Sequence, residues 1–185
     1  MLSDFYPSSV FKFCPFCGAK EFVWDGVKSH TCGACRHKLY TNESAATVAL
    51  IVNAQGELLF VRRKYNPAKG MLDLPGGFVD LGETAERAII REVKEELNLE
   101  VSKLQFFGSF PNRYLFGELV YFTLDLVFTC TVPDLSPLRA ADDAEACLFI
   151  APQEVNIGEI GLESIREIAK SYMARANNEE KGDGL

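Results

Sequence analysis

The chain has 185 residues, with 48% hydrophobic and 24% charged residues and a formal net charge of −7 at pH 7. That is room for one full domain and a small appendage, and the acidic balance with no basic run argues against a phosphate-backbone binder, so nucleic acid is not an expected partner. No apolar stretch reaches the length of a membrane span and the N-terminus lacks a signal-peptide pattern, so a cytoplasmic protein with no membrane partner is expected.

Residues 1–40 read as a small metal-binding ribbon. Cys14-Pro-Phe-Cys17-Gly and Cys32-Gly-Ala-Cys35 each place two thiolates on one tight turn, and Gly18 and Gly33 let the backbone approach the sulfur. Four thiolates make a closed site of the kind that holds a structural Zn²⁺. Two disulfides or a redox pair are the alternatives, and a reducing compartment disfavours them. Phe22-Val23-Trp24 and Val27 form a hairpin too small to stand without the metal. His30 and His37 flank the second knuckle and are expected at the surface, because four cysteines already fill the coordination sphere. Cys130 and Cys147 lie in apolar strand-like segments as buried thiols.

Leu39 to Ser44 is a short polar linker, and the second domain is expected over residues 41–176, with a flexible polar tail at 177–185. The apolar run Ala45 to Val52 predicts a strand covered on both faces, and Glu57 to Arg62 returns after the turn Asn53-Ala54-Gln55-Gly56. Arg62, Arg63 and Lys64 follow as three successive cations and are candidates for holding substrate phosphates, Arg62 foremost, with a solvated strand end as the equal alternative. The short strand Leu72-Asp73-Leu74 leads into the turn Pro75-Gly76-Gly77.

A helix is predicted to start within Gly82-Glu83-Thr84-Ala85, with Glu83 and Glu86 in its first turn, and to run to about Asn98. At about 100° per residue, Ala85, Ile89, Val93 and Leu97 form its packing face. Glu96 projects inside that arc and Glu92 sits at its edge, with Glu95 a turn away. Acids at this spacing repel one another, and a buried unpaired carboxylate is costly. Such a cluster is kept mainly when a cation neutralises it, and hard oxygen ligands point to Mg²⁺ or Mn²⁺. A solvated acidic face with internal ion pairs is the alternative; it suits the Glu83–Arg87 spacing better than it suits Glu96.

Leu104 to Phe110 and Leu119 to Thr131 read as strands, joined by the loop Pro111 to Gly117. Phe110, Tyr114 and Phe116 are candidates for stacking on a nucleobase, with Arg113 reaching a phosphate or ring; core packing is the alternative for each. Asp142-Asp143-Ala144-Glu145-Ala146 is read as an acidic loop before a last strand at Cys147 to Ile150, and Leu162 to Ala174 as an amphipathic helix.

Gly77, Glu83 and Arg91-Glu92-Val93-Lys94-Glu95-Glu96, followed by Leu99, resemble the Nudix box, with Asn98 where glycine is usual. Asparagine can take the same positive φ. The resemblance implies an α/β/α sandwich with a mixed sheet, and hydrolysis of a nucleoside diphosphate linked to another moiety. It implies that Glu92, Glu95, Glu96 and the Gly76 carbonyl hold the divalent ions, that Arg91 and Glu83 orient the glutamates, and that a helix glutamate or a loop carboxylate, here Glu145 with Asp142 and Asp143 behind it, is the general base. A ribbon before such a domain is similar to the NADH pyrophosphatases. Ser109-Phe110-Pro111-Asn112-Arg113 keeps only the serine and proline of their Ser-Gln-Pro-Trp motif, so ADP-ribose or a nucleotide sugar stands as an equal expectation. A non-catalytic nucleotide-binding regulator is the alternative function, although its box acids are usually eroded and these are complete. The ribbon itself reads as a structural element or a homodimer contact.

Overall fold

The computed structural model describes residues 2–142 and 144–182. The chain divides into two compact units, Met1–Ser44 with Arg113–Phe122, and Ala45–Asn112 with Thr123–Leu185.

In the first unit a short helix α1 (Pro7–Val10) precedes three antiparallel strands, β1 (Phe22–Trp24), β2 (Ser29–Cys32) and β3 (Lys38–Tyr40). Cys14, Phe22 and Cys32 form its small core, with Phe11, Ala19, Cys35 and Leu39 packed against them. His30 is fully buried, its ring 4.8 Å from that of Phe22 and 4.9 Å from that of Trp24. The surface position expected for it is therefore wrong. The two-residue period of a strand carries His30 inward together with Cys32. His37 is half-buried and stacks on Phe16 at 5.2 Å.

The second unit is built on a four-stranded sheet in the order β7-β4-β9-β8 and a three-stranded sheet in the order β10-β5-β6. The strands are β4 (Ser44–Leu50), β5 (Leu58–Arg63), β6 (Leu72–Asp73), β7 (Gly76–Phe78), β8 (Lys103–Phe116), β9 (Leu119–Thr131) and β10 (Ala144–Ile150). Val48 and Leu50 with Leu58 and Phe60 face a core closed by Ile165, Ile168 and Ala169 of helix α3 (Glu163–Gly182). Their neighbours Ala49, Ile51, Leu59 and Val61 face the opposite way, onto Ile89, Val93 and Leu97 of helix α2 (Ala85–Leu97). Strands covered on both sides need both residue parities apolar, which is why the run from Ala45 onward does not alternate. The result is the expected α/β/α sandwich; β5 pairs antiparallel with β6 and β10, β4 pairs antiparallel with β7, and a parallel bridge joins Leu72 to Ile160.

Several boundaries differ from expectation: Leu39 and Tyr40 of the expected linker lie in β3 and Ser44 in β4, and β10 starts at Ala144 instead of Cys147. The loop expected over Pro111 to Gly117 is strand as far as Phe116. β8 is an edge strand, where a proline removes no ladder hydrogen bond on the outer side. Helix α3 runs past Ala174 through Gly182, so the polar tail expected from residue 177 begins as helix; residues 183–185 lie outside the described residues. Among the described residues no helix is long and apolar enough to cross a membrane.

Candidate active site

The turn between β6 and β7 brings backbone hard against α2. A Cβ on Gly76 (φ 148°) would lie 2.0 Å from the Thr47 carbonyl oxygen, and one on Gly77 would lie 2.5 Å from Glu92 Oε1. Gly76 has no room for a side chain, whereas a methyl at Gly77 would have to push aside the end of the Glu92 side chain. The Gly76 N–H donates to Glu96 Oε2 at 3.0 Å, which fixes that carboxylate against the turn.

Helix α2 is set by its ends. The Thr84 side chain caps the first turn by accepting from the Arg87 N–H at 3.3 Å. Asn98 closes the last turn at φ 57° and ψ 31°, the left-handed cap for which asparagine substitutes for glycine. Between them Ala88, Ile89, Val93 and Leu97 are buried, and Glu96 is buried with them.

Arg91 organises the acids. Its Nε donates to Glu83 Oε1 at 3.1 Å and its Nη2 to Glu83 Oε2 at 2.9 Å and the Phe78 carbonyl at 3.0 Å. Its Nη1 donates to Glu92 Oε1 at 2.7 Å and Glu95 Oε2 at 3.1 Å. A guanidinium has five N–H groups, and all five are engaged. The Arg91 hydrogen bond holds Glu83 below the usual carboxylate range, and Glu83 in return holds Arg91 well above the usual arginine range. Burial pushes Glu92 up, with Arg91 opposing and the charges of Glu95 and Asp142 adding to the rise.

The loop before β10 reaches the same helix end. Arg139 N–H donates to the Leu97 carbonyl at 3.2 Å and Ala141 N–H to that of Glu96 at 2.9 Å. Asp142 follows, at φ 49°. Glu145 is not in the expected loop. It lies exposed within β10, where the register against β5 shifts between Ala144 and Ala146. Asp143, the third acid of that stretch, lies outside the described residues.

The expected substrate contacts are differently engaged. Arg62 Nη1 donates to the Gly70 carbonyl at 2.8 Å. Arg63 pairs with the buried Asp73 and donates to the Pro67 carbonyl at 2.6 Å, while Asp73 Oδ1 accepts from Leu74 N–H at 2.8 Å. Phe110 packs on the α3-side core beside Phe107. Arg113 and Tyr114 belong to the N-terminal unit, where Arg113 donates to the Tyr6 hydroxyl at 3.3 Å and Tyr114 stacks on Tyr121 at 6.1 Å.

In the N-terminal unit the four cysteine sulfurs lie within 4.8 Å of one another. The Cys14–Cys35 and Cys17–Cys32 sulfur distances are both 3.7 Å, far beyond a disulfide bond. A zinc ion with Zn–S of about 2.3 Å in a tetrahedron needs sulfurs about 3.8 Å apart, so the donor set fits a zinc site. The Cys35 backbone N–H, which donates to Cys32 Sγ, helps bring that thiol down to about 7.

Residues 42–174 match the NUDIX domain, and the chain belongs to that family. It is 34% identical over 146 residues to the ADP-ribose pyrophosphatase of Methanocaldococcus jannaschii, covering 77% of this chain and 80% of that protein. It is 28% identical over 165 residues to the NAD-capped RNA hydrolase NudC of Vibrio atlanticus, covering 88% of this chain but 61% of that protein. Against the NudC of Vibrio vulnificus the chain spans 49% of the relative's length. The crystal structure of a NUDIX hydrolase from Nitrosomonas europaea shares the fold, with a TM-score of 0.64 at 21% identity over 95% of this chain and 94% of that one.

Proposed function

We propose that the chain hydrolyses the diphosphate of a nucleoside diphosphate joined to a second moiety, with a divalent cation and with ADP-ribose as the leading substrate. The observation that carries this reading is the saturated guanidinium of Arg91, which sets Glu83, Glu92 and Glu95 in one fixed array beside a Glu96 clamped by the Gly76 N–H. The donor set fits Mg²⁺ or Mn²⁺: the oxygens are hard ligands, and Glu92 and Glu96 are largely removed from water, where unneutralised carboxylates are costly. Glu92, Glu95, Glu96 and the Gly76 carbonyl would hold the ion, which when bound neutralises the diphosphate and acidifies water.

The chain's own groups do the ordering. Arg91 fixes the rotamers of the acids, as outer partners of metal ligands do. Glu83 restrains Arg91 in turn. Asp142 follows Ala141, whose N–H is bonded to the Glu96 carbonyl, and its charge adds to the rise of Glu92, whereas Glu145 lies exposed within β10; Asp142 therefore stands ahead of Glu145 as the carboxylate that removes a proton from the attacking water. The four ribbon cysteines would hold a structural Zn²⁺.

ADP-ribose leads because the chain spans most of the ADP-ribose pyrophosphatase relative and because residues 109–113 keep so little of the NADH motif. The ribbon and the NudC relatives favour an NAD-capped end as the second reading. Initial rates with Mg²⁺ on ADP-ribose, NADH, NAD-capped RNA and nucleotide sugars test the choice. The expected result is AMP released from ADP-ribose with kcat/KM at least tenfold above that for NADH. A lead for NADH or NAD-capped RNA would support the second reading, and no cleavage of any of them would leave a binding protein.

A further inference from the structure

From the geometry we infer that Asn98 is a positioning residue for the proposed hydrolysis, its carboxamide fixing the register in which the loop before β10 carries Asp142 to the end of α2; the inference rests on the reading of Asp142 as the proton acceptor. Asn98 stands where the family box usually has glycine, and its backbone does no more than glycine would. It caps α2 at φ 57° and ψ 31°, its N–H closing the last turn on the Lys94 carbonyl at 3.0 Å. The side chain has a separate contact. Its Nδ2 donates to the Pro137 carbonyl at 3.2 Å, linking α2 to a loop 39 residues further along the chain.

Alternate residues of that loop meet the helix end in reverse order. Pro137 meets Asn98, Arg139 N–H donates to the Leu97 carbonyl at 3.2 Å, and Ala141 N–H donates to the Glu96 carbonyl at 2.9 Å. Asp142 comes next, at φ 49°, and its carbonyl accepts from Lys64 Nζ at 3.0 Å. Leu135, Leu138 and Ala140 also pack against the core that holds Ile89, Val93 and Leu97. Apolar contact is non-directional, so it holds the loop down without choosing which residue meets which carbonyl. The ladder of hydrogen bonds makes that choice. Proline has no N–H with which to continue it, so the third rung exists because the Asn98 carboxamide supplies the donor. A glycine at the same place would cap the helix and leave that rung unmade.

Asn98→Gly removes the carboxamide and keeps a residue that takes positive φ freely. Asn98→Asp keeps the shape but faces the Pro137 carbonyl with an acceptor. Both are assayed on the full chain loaded with Zn²⁺, with Mg²⁺ and ADP-ribose. Each should lower kcat about five- to tenfold, with KM and the Mg²⁺ concentration for half-maximal rate changed less than about twofold, since a small displacement of a reacting group acts on the chemical step. Asp142→Asn alone should lower kcat about a hundredfold, and adding Asn98→Gly to it should cost nothing more, because the two act as one unit. A further loss of about five- to tenfold in the double variant would show Asn98 acting elsewhere and overturn the inference. Amide hydrogen exchange reads the loop without turnover: Arg139 and Ala141 should exchange about tenfold faster in Asn98→Gly, with Ile89 and Val93 unchanged. Equal exchange, or wild-type kcat in Asn98→Gly, overturns the positioning role while leaving hydrolysis intact. A wild type that cleaves none of the substrates overturns the hydrolytic reading and this role with it.

Discussion

Replacing Arg91 by lysine keeps the charge and removes the fork. Five N–H donors become at most three, on a single atom that cannot reach Glu83, Glu92, Glu95 and the Phe78 carbonyl together. Hydrogen bonds to charged groups are worth about 1.5–3 kcal/mol each. The loss is smaller than their sum, because Glu95 is half exposed and its bond is screened, and because lysine keeps part of the attraction. A net loss of about 2 kcal/mol follows, which for a chain of this size lowers Tm by about 4–8 °C. The functional cost is larger in proportion. Losing the partner that orients metal-ligating carboxylates typically costs about 10- to 100-fold in metal affinity or activity. Thermal melts and initial rates across a Mg²⁺ titration of Arg91→Lys measure both. A variant that melts normally and works within threefold of the wild type at every Mg²⁺ concentration would refute the role given to the fork.

The two glycines of the turn should separate by kind of damage. Gly77→Ala meets only the end of the flexible Glu92 side chain, so it should fold while needing about tenfold or more Mg²⁺ for half-maximal rate; Gly76→Ala meets the Thr47 backbone and should lower Tm strongly. Asp125 is buried, accepts from the Ser164 and Thr123 hydroxyls, and has its carboxyl raised chiefly by burial. A raised acid is most favourable when protonated in both states and loses stability as pH rises through its folded pKa. The Tm of the wild type relative to Asp125→Asn should therefore rise as pH falls from 7 to 4, and a flat difference would contradict it. Purified protein should carry about one zinc per chain by metal analysis, and Cys32→Ser should lose it together with the order of residues 1–44, read by the fluorescence of Trp24.

The parts of this fold that were legible are those written in local spacing. The box acids, Arg91, the cap at Asn98 and the paired cysteines all act over one or two turns of chain. The parts that were not legible are side chains meeting across the sheet. Asp73 with Arg63, and Asp125 with Ser164, are polar residues within apolar runs, and nothing local says that they are buried and paired. Period-two reading carried a signal for two of the misses. Thr123, Asp125 and Val127 share the inward row of β9, as His30 and Cys32 share that of β2. The strand through Pro111 was hidden for another reason: a proline reads as a break unless the strand is known to be an edge, and that is a property of the assembled sheet.

Glu96 gives the most direct test of a hydrolytic centre on α2, because its carboxylate is the one built against the glycine turn. Wild type and Glu96→Gln are compared for AMP release from ADP-ribose with Mg²⁺, after melts establish that both are folded. The wild type should release AMP and the variant should be slower by at least about a hundredfold, and equal rates from the two proteins would contradict a hydrolytic centre on α2.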